Sequence, residues 1–223
     1  MCFSLVMETL ALKTENACSE TYLRLGLGES GKGSTGKPRL LSYLSSLLER
    51  SVQKNERFLE TTQTKDVITV FHGSKAPSLG IELYIERIFK YSCCSPSCFI
   101  VAYIYVERFI KRTNAVVTSL NVHRLLITSV MVAAKYIDDA FYNNAYYARV
   151  GGVGTLELNK LEMKFLFGVD FQLFVSSDTF GKYCALLEME GSGGVQIERS
   201  IQACGIKGSW PNNEDSTCAT AAR

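Results

Sequence analysis

The amino-acid sequence predicts an all-helical protein built around one central apolar helix. Apolar residues recur at helical spacings of three and four, strand-like alternation is absent, and the segment from Val122 to Asp139 is almost continuously apolar. The middle of that segment, from Leu125 to Ala134, contains no charged residue on any face. Because such a helix must be covered on all sides, we place it at the centre of a helical bundle.

The composition fits one globular domain with tails. The chain has 223 residues, of which 47% are hydrophobic and 21% are charged, and its formal net charge is +2. This charge indicates no nucleic-acid partner, and the absence of an apolar run of about 18 residues or of a secretory signal argues against a membrane or an export route. We therefore expect an intracellular protein, in the nucleus and/or the cytoplasm, whose eight cysteines are reduced.

Two segments precede the predicted domain. Residues 1–37, with the glycine-rich stretch GLGESGKGSTGK, are expected to form a flexible tail in which Met7 is an alternative first residue. Residues 38–66 are expected to form an amphipathic lead helix and a connector. The apolar residues that follow are interpreted as anchors laid onto the domain: Val67, Ile68, Val70 and Phe71.

Residues 67–190 are predicted to hold five helices. The helix starts are assigned to residues with capping side chains, among them Ser78 for the first helix, Asn121 for the third and Ser177 for the fifth. The fourth and fifth helices carry the periodic apolar residues Leu158, Leu161, Phe165, Phe180, Cys184 and Leu187. Residues 191–223 lack any sustained period and are expected to form a poorly ordered tail.

The closest catalytic signature lies in the glycine-rich stretch. Residues Gly26 to Gly33 satisfy G-x-x-x-x-G-K, but Gly33 occupies the position of the Mg²⁺-binding hydroxyl residue. A phosphate-binding loop also follows a strand and opens a helix, whereas a short tail precedes this one. We interpret the stretch as a linker, and we expect no cofactor, no small-molecule substrate and no enzymatic activity.

The cysteine cluster and the histidines give no strong catalytic pattern. Cys93, Cys94 and Cys98 lack a matching second ligand pair for zinc and are interpreted as buried or loop thiols. His72 and His123 are distant in sequence, and His123 is interpreted as a surface or capping residue.

Three tyrosines form an aromatic cluster late in the domain. Tyr142, Tyr146 and Tyr147 could stack on bases, but no stripe of lysine or arginine accompanies them to hold phosphates. We therefore expect them to pack against the glycine turn that follows.

Lys135 is the most unusual charge in the sequence. It lies at the end of the apolar stretch SVMVAAKYI, so it needs an acidic partner or an exposed position. Glu162 on the next helix could supply that partner, and an exposed Lys–Glu pair could recruit carbonyls or charges from another protein. The alternative is an ordinary charge at a helix end, and the residues alone leave both interpretations open.

Several separated motifs in their joint order resemble a cyclin box, most closely that of the plant P-type (also called U-type) cyclins, which are similar to fungal PHO-type cyclins. The resemblance covers roughly Val67 to Glu190 and implies a single box of five helices. The motifs are Tyr84–Ile88 (YIERI), Tyr105–Phe109 (YVERF), Asn121–Leu125 (NVHRL), Ala133–Lys135 (AAK), Asn143–Val153 (NNAYYARVGGV) and Glu157–Glu162 (ELNKLE).

The resemblance implies a regulatory subunit that binds and activates a cyclin-dependent kinase, expected to be A-type, in cell-cycle or nutrient signalling. In cyclins a lysine of the third helix and a glutamate of the fourth contact the kinase, and here these residues are Lys135 and Glu162. Tyr136, Phe165 and Phe180 are expected to add neighbouring surface. The chief alternative is a helical adaptor that keeps the fold and recruits partners without activating a kinase.

One motif of many cell-cycle cyclins is missing. Their substrate-docking sequence Met-Arg-Ala-Ile-Leu falls on Pro77-Ser78-Leu79-Gly80-Ile81 in this chain. Docking of substrates at that groove is therefore not expected.

Overall fold

The computed structural model describes residues 20–27, 37–63 and 65–191, and every regular element in these ranges is a helix. This confirms the predicted all-helical class. The first helix, α1, includes residues 20–25. The others are α2 Arg39–Thr62, α3 Ile81–Ser92, α4 Ser97–Thr113, α5 Val122–Ile137, α6 Asn144–Gly151, α7 Thr155–Gly168 and α8 Ser177–Gly191. No helix within the described ranges has the length and apolar character needed to cross a membrane.

Helix α5 occupies the centre of the bundle, as its sequence predicts. Every residue from Leu125 to Ala134 is buried, and α5 contacts α3, α4, α6 and α7. Its two buried hydroxyls bond back to the preceding turn of the same helix: Thr128 Oγ1 donates to the Arg124 carbonyl and Ser129 Oγ to the Leu126 carbonyl. Because these groups are satisfied inside the helix, its whole surface is available for apolar packing.

Helix α2 is the predicted lead helix, and it runs through 24 residues to Thr62. Its buried stripe packs against α3 and α8 and comprises Leu40, Leu41, Leu44, Ser45, Leu48 and Val52. The connector after α2 contacts the domain through fewer apolar side chains than predicted. Only Phe71 is an anchor, buried between the rings of Phe109 and Phe165, whereas Val67, Ile68 and Val70 are exposed.

The residues around α1 differ from the flexible tail expected for residues 1–37. Leu25 is fully buried, and Glu188 of α8 accepts hydrogen bonds at 2.8 Å from both Thr21 Oγ1 and Arg24 Nη1. This segment was too short for its periodicity to be recognised, and its contacts join it to the distant end of the domain. The predictions for residues 1–19, 28–36 and 192–223 lie outside the described residues.

Two helix starts are displaced from the predicted capping residues, and a third is at the predicted residue without its side-chain cap. Helix α3 begins after Gly80, so Ser78 lies outside it, and Ser176 rather than Ser177 caps α8 by accepting from the Thr179 amide at 3.3 Å. Asn121 holds the N-cap position of α5, but its side chain binds the preceding turn instead of the helix. Side-chain type therefore located these ends only to within one or two residues.

Helix α6 was not predicted. Asn143 caps it, because its side-chain oxygen accepts from the Tyr146 amide at 3.0 Å. Tyr147 is buried, the Tyr146 hydroxyl donates to the Tyr91 carbonyl at 2.8 Å, and Tyr142 stacks on Tyr146. The tyrosine cluster thus packs against the end of α3, whereas the predicted contact was the glycine turn.

Candidate protein-binding site at the end of helix α5

The structure brings Lys135 and Glu162 into direct contact. Lys135 lies in the last turn of α5 and Glu162 in the middle of α7, and Lys135 Nζ is 2.6 Å from Glu162 Oε1. The side chains are 28% and 16% exposed. Lys135 is therefore more than an ordinary charge at a helix end: it forms a partly desolvated ion pair at the edge of the bundle.

Asn144 joins the pair into a closed group of three residues. Lys135 Nζ donates to Asn144 Oδ1 at 2.5 Å, and Asn144 Nδ2 donates to Glu162 Oε2 at 2.6 Å. The same nitrogen also lies 2.8 Å from Asn159 Oδ1. We call Lys135, Asn144 and Glu162 the Lys–Asn–Glu cluster. Asn144 was missed at the sequence level, although it belongs to the motif NNAYYARVGG, because α6 itself was not recognised.

Close glycine contacts place α6 and α7 beside their neighbours. A Cβ atom on Gly151, at the end of α6, would lie 2.6 Å from Cγ1 of Ile127 in α5. A Cβ atom on Gly168, at the end of α7, would lie 2.4 Å from the ring of Phe109 in α4. Both distances are far shorter than normal contacts, so only glycine allows these helices to approach so closely and to bring Asn144 and Glu162 to Lys135.

An apolar rim begins at Tyr136, the residue that directly follows Lys135 in α5. Tyr136 is 49% exposed, Phe174 is 71% exposed, and Ile137 is also exposed. These three residues share a surface depression of about 350 Å³ with Phe180, whose half-buried ring contacts Tyr22 edge to face. Two of the predicted surface residues, Tyr136 and Phe180, therefore line the same depression.

Phe165 does not belong to this surface, and its predicted place there is wrong. Its ring is fully buried and stacks on Phe109 with ring centroids 5.3 Å apart. Leu158, Leu161 and Phe165 share the inner face of α7 by their spacing of three and four residues. The exposed apolar side chains of α7 are instead Leu156, Met163 and Phe167, which the sequence analysis did not select.

The cysteine cluster is buried apart from Cys93. The Cys98 thiol donates to Asp138 Oδ2 at 3.1 Å, and its hydrogen bond with Cys94 together with burial raises its pKa. Cys98 therefore stays protonated and packs as a small core residue. Within the part of the chain that the structure describes, no group of three His, Cys, Asp or Glu residues is placed to hold a metal.

His123 is half-buried and packs against α3, whereas a surface or capping residue was predicted. Its Nε2 lies 2.7 Å from the Leu79 carbonyl, and its ring centroid is 4.7 Å from that of Tyr84. Nδ1 is buried and has no hydrogen-bond partner. Burial is the main reason that the pKa of His123 is lowered, so the ring is neutral near pH 7 and Nε2 carries the donated proton.

Comparison with known proteins places this arrangement in a family. The sequence model of the family described as Cyclin matches residues 39–173, from the start of α2 to the segment after α7. The chain is 54% identical to Cyclin-P3-1 of Oryza sativa subsp. japonica over 198 residues, which cover 88% of this chain and 84% of that protein. It is 49% identical to Cyclin-U3-1 of Arabidopsis thaliana, over 97% of this chain and 100% of that protein.

A third relative is also a plant P-type cyclin. Cyclin-P4-1 of Oryza sativa subsp. japonica is 46% identical over 165 residues, which cover 72% of this chain and 78% of that protein. The segment matched by the family model, residues 39–173, contains Lys135, Asn144 and Glu162. Members of the cyclin family are regulatory subunits and not enzymes, and their general partner is a cyclin-dependent kinase. The chain belongs to this family, among the plant P-type and U-type cyclins.

Proposed function

We propose that this cyclin binds and activates a cyclin-dependent kinase through the Lys–Asn–Glu cluster and its apolar rim. The observation that carries the proposal is the contact of Lys135 with Glu162, 2.6 Å apart at the edge of the bundle. Exposed Tyr136 directly follows Lys135 in α5 and shares a depression with exposed Phe174. This combination of a held ion pair with a neighbouring apolar surface is typical of a protein-binding centre.

The cluster is preorganised for binding. Lys135 is already held by Asn144 and Glu162, so little side-chain entropy is lost when a partner approaches. Each of the two charged groups keeps part of its surface in solvent and can add a hydrogen bond to a partner's backbone carbonyl or amide. In the proposed complex the partner covers exposed Tyr136, Ile137 and Phe174, and this burial reduces the access of water to the bonds and strengthens them.

Activation in this proposal is mechanical. The kinase performs phosphoryl transfer, and the cyclin holds the kinase's activating helix inward so that the kinase's own Lys–Glu pair and activation segment are aligned. The close packing of α7 against α4 at Gly168 supports this role, because a surface that holds a mobile helix must be well fixed to the rest of its domain. The complex is proposed to act in the nucleus, the cytoplasm or both.

The test is co-expression with a panel of plant cyclin-dependent kinases, in which an A-type kinase is the first member. We expect the wild-type chain to co-purify with at least one kinase and to raise its phosphorylation of histone. Lys135→Met keeps the aliphatic stem but removes the charge, and Glu162→Gln keeps the shape. Each is expected to reduce the recovered kinase at least about tenfold, since truncating a central charged group costs 1.4 kcal/mol or more.

The matched control is Lys54→Met, which removes an exposed positive charge from α2. It should leave kinase recovery unchanged, and thermal melting should show that all three variants are folded. Normal recovery of the kinase with Lys135→Met and Glu162→Gln would contradict the proposed surface. Recovery of a kinase without any rise in histone phosphorylation would instead identify the chain as a non-activating adaptor.

A further inference from the structure

A second depression, separate from the apolar rim, lies between α3 and α6. It has a volume of about 540 Å³ and is lined by Arg87, Tyr91, Tyr146, Arg149 and Val150. None of these residues belongs to the Lys–Asn–Glu cluster. The proposed kinase activation therefore makes no use of this depression.

Three hydrogen bonds hold the two walls of the depression together. Arg87 Nη2 donates to the Arg149 carbonyl at 3.2 Å, and the Tyr146 hydroxyl donates to the Tyr91 carbonyl at 2.8 Å. Below them, the buried Tyr84 hydroxyl donates to the Gly151 carbonyl at 3.0 Å. The guanidinium of Arg87 is thereby placed beside α6 and still has further N–H groups free to donate.

The charges of this depression are unbalanced. Within residues 20–27, 37–63 and 65–191, neither Arg87 nor Arg149 pairs with a carboxylate inside the 4.0 Å limit of an ion pair. The nearby carboxylate of Glu86 is bonded to Lys37. Lys90 adds a third positive charge at the same edge, with its Nζ 5.4 Å from the centroid of the Tyr91 ring.

We propose that this depression binds a phosphate group carried by a phosphorylated peptide segment of a partner protein. Two guanidinium groups without carboxylates match a phosphate dianion, because each can donate a pair of N–H bonds to its oxygens. A cluster of arginines is a recurring way in which proteins recognise phosphorylated segments. The rings of Tyr91 and Tyr146 supply apolar walls for the peptide on either side of the phosphate.

A nucleic acid fits these observations less well. Its regularly spaced phosphates need a stripe of positive charge, whereas only Arg87 and Arg149 line this depression, with Lys90 near its Tyr91 wall. The net charge of the whole chain is only +2. A single phosphate at one position of a peptide is the ligand that matches the local charge.

The test measures fluorescence polarisation of the full-length chain with a labelled peptide at low ionic strength. The peptide has ten alanine and glycine residues with one phosphoserine at the centre, and its unphosphorylated form is the reference. We expect the phosphopeptide to bind at least about tenfold more tightly, and excess inorganic phosphate to displace it, because the phosphate supplies the charge-assisted bonds.

The double variant Arg87→Gln/Arg149→Gln is expected to abolish this preference, and the single variant Arg149→Gln, at an exposed position, to reduce it severalfold. Arg87→Lys/Arg149→Lys keeps the charge but loses the paired donors, so it should retain only part of the preference. The matched control Lys54→Gln/Arg57→Gln removes the same charge from the exposed side of α2 and should bind like wild type.

Two results would overturn the proposal. One is equal binding of the phosphorylated and unphosphorylated peptides, or an equal loss in the α2 control, which would indicate nonspecific attraction. The other is tighter binding of a single-stranded oligonucleotide that also depends on Arg87 and Arg149, which would assign the depression to nucleic acid. Neither result depends on whether the chain activates a kinase, because the kinase is absent from the assay.

Discussion

The two ends of helix α6 carry charged groups of opposite design. At its start, Asn144 joins Lys135 to Glu162, so that a cation, an anion and an amide satisfy one another. At its end, Arg149 lies beside Arg87, and neither guanidinium has a carboxylate partner in the described part of the chain. Both groups are attached to the same helix of eight residues.

This difference shows how charge pairing separates two kinds of binding surface. A balanced cluster has little net field and acts through fixed geometry, so its partner is recognised by shape and by directed hydrogen bonds. An unbalanced pair of arginines keeps a net positive field and favours a ligand that brings negative charge. The two ends of this short helix are therefore expected to bind two different partners, and amino-acid substitutions at one end should affect only one of the two interactions.

The largest expected effect comes from Gly151→Ala, which should displace α6 and so disturb the binding surfaces at both of its ends. The new Cβ atom would meet the buried Ile127 side chain at 2.6 Å and push α6 away from α5. Overpacking of this kind costs roughly 1–3 kcal/mol of unfolding free energy, which urea denaturation measures. Kinase recovery and phosphopeptide binding should both fall. Gly154→Ala, whose Cβ atom would lie 3.9 Å from Glu157, should change none of these quantities substantially.

A charge reversal tests the balanced end alone. Lys135→Glu places two carboxylates at the position of a 2.6 Å ion pair, so we expect a loss of about 2 kcal/mol in unfolding free energy. Adding Glu162→Lys restores opposite charges and should recover at least half of that loss in a double-mutant cycle. Kinase recovery should stay low in the double variant, because the partner meets reversed charges. Full recovery of the kinase would show that only stability depends on the pair.

Substitution of Asn144 should have a smaller effect and should again spare the arginine end. Asn144→Ala removes three hydrogen bonds but leaves both charges of the ion pair, so we expect a loss of about 1 kcal/mol and a severalfold weaker kinase interaction. Asn143→Ala is the neighbouring control: it removes the cap of α6 but keeps the cluster. It should lower the melting temperature by a similar amount with less effect on the kinase. Phosphopeptide binding should be unchanged in Asn144→Ala.

The smallest expected effect concerns stability in acid, and it comes from His123 of α5, which lies at neither end of α6. Burial lowers the pKa of His123 from its usual 6.5, so below that pH the unfolded chain takes up a proton that the folded chain resists. Stability is therefore expected to decrease as the pH falls from about 6.5 towards the folded-state pKa. His123→Gln should weaken this dependence in melting curves recorded between pH 7 and pH 5. An unchanged dependence would place its origin in other groups.

The sequence predicted those features that arise from long, strong patterns. The central position of α5 follows from its uncharged middle, and the contact of Lys135 with an acidic residue follows from a charge that a buried helix end cannot leave alone. Helix α6 escaped prediction because eight residues provide only two turns, and three of them are tyrosine or glycine rather than strong helix formers.

The side-chain directions on α7 were harder to predict. Glu162 and Phe165 are only three residues apart and lie on adjacent parts of the helix surface, but one reaches the edge of the bundle and the other is completely buried. Which of the two is covered depends on where Phe109 and Phe71 lie, and both come from distant parts of the chain. The sequence pattern could not contain that information.

The uniform burial of α5 also determines which fragments of the domain can be expected to fold. A helix with no solvent-facing stripe between Leu125 and Ala134 has no soluble form of its own, so it must be covered by its neighbours as it folds. Helix α4 precedes it in the chain and packs directly against it, so we expect these two helices to pair early in folding. Any fragment that separates them would expose a continuous apolar surface and is expected to aggregate, so shortened forms of the protein for binding studies should retain both helices.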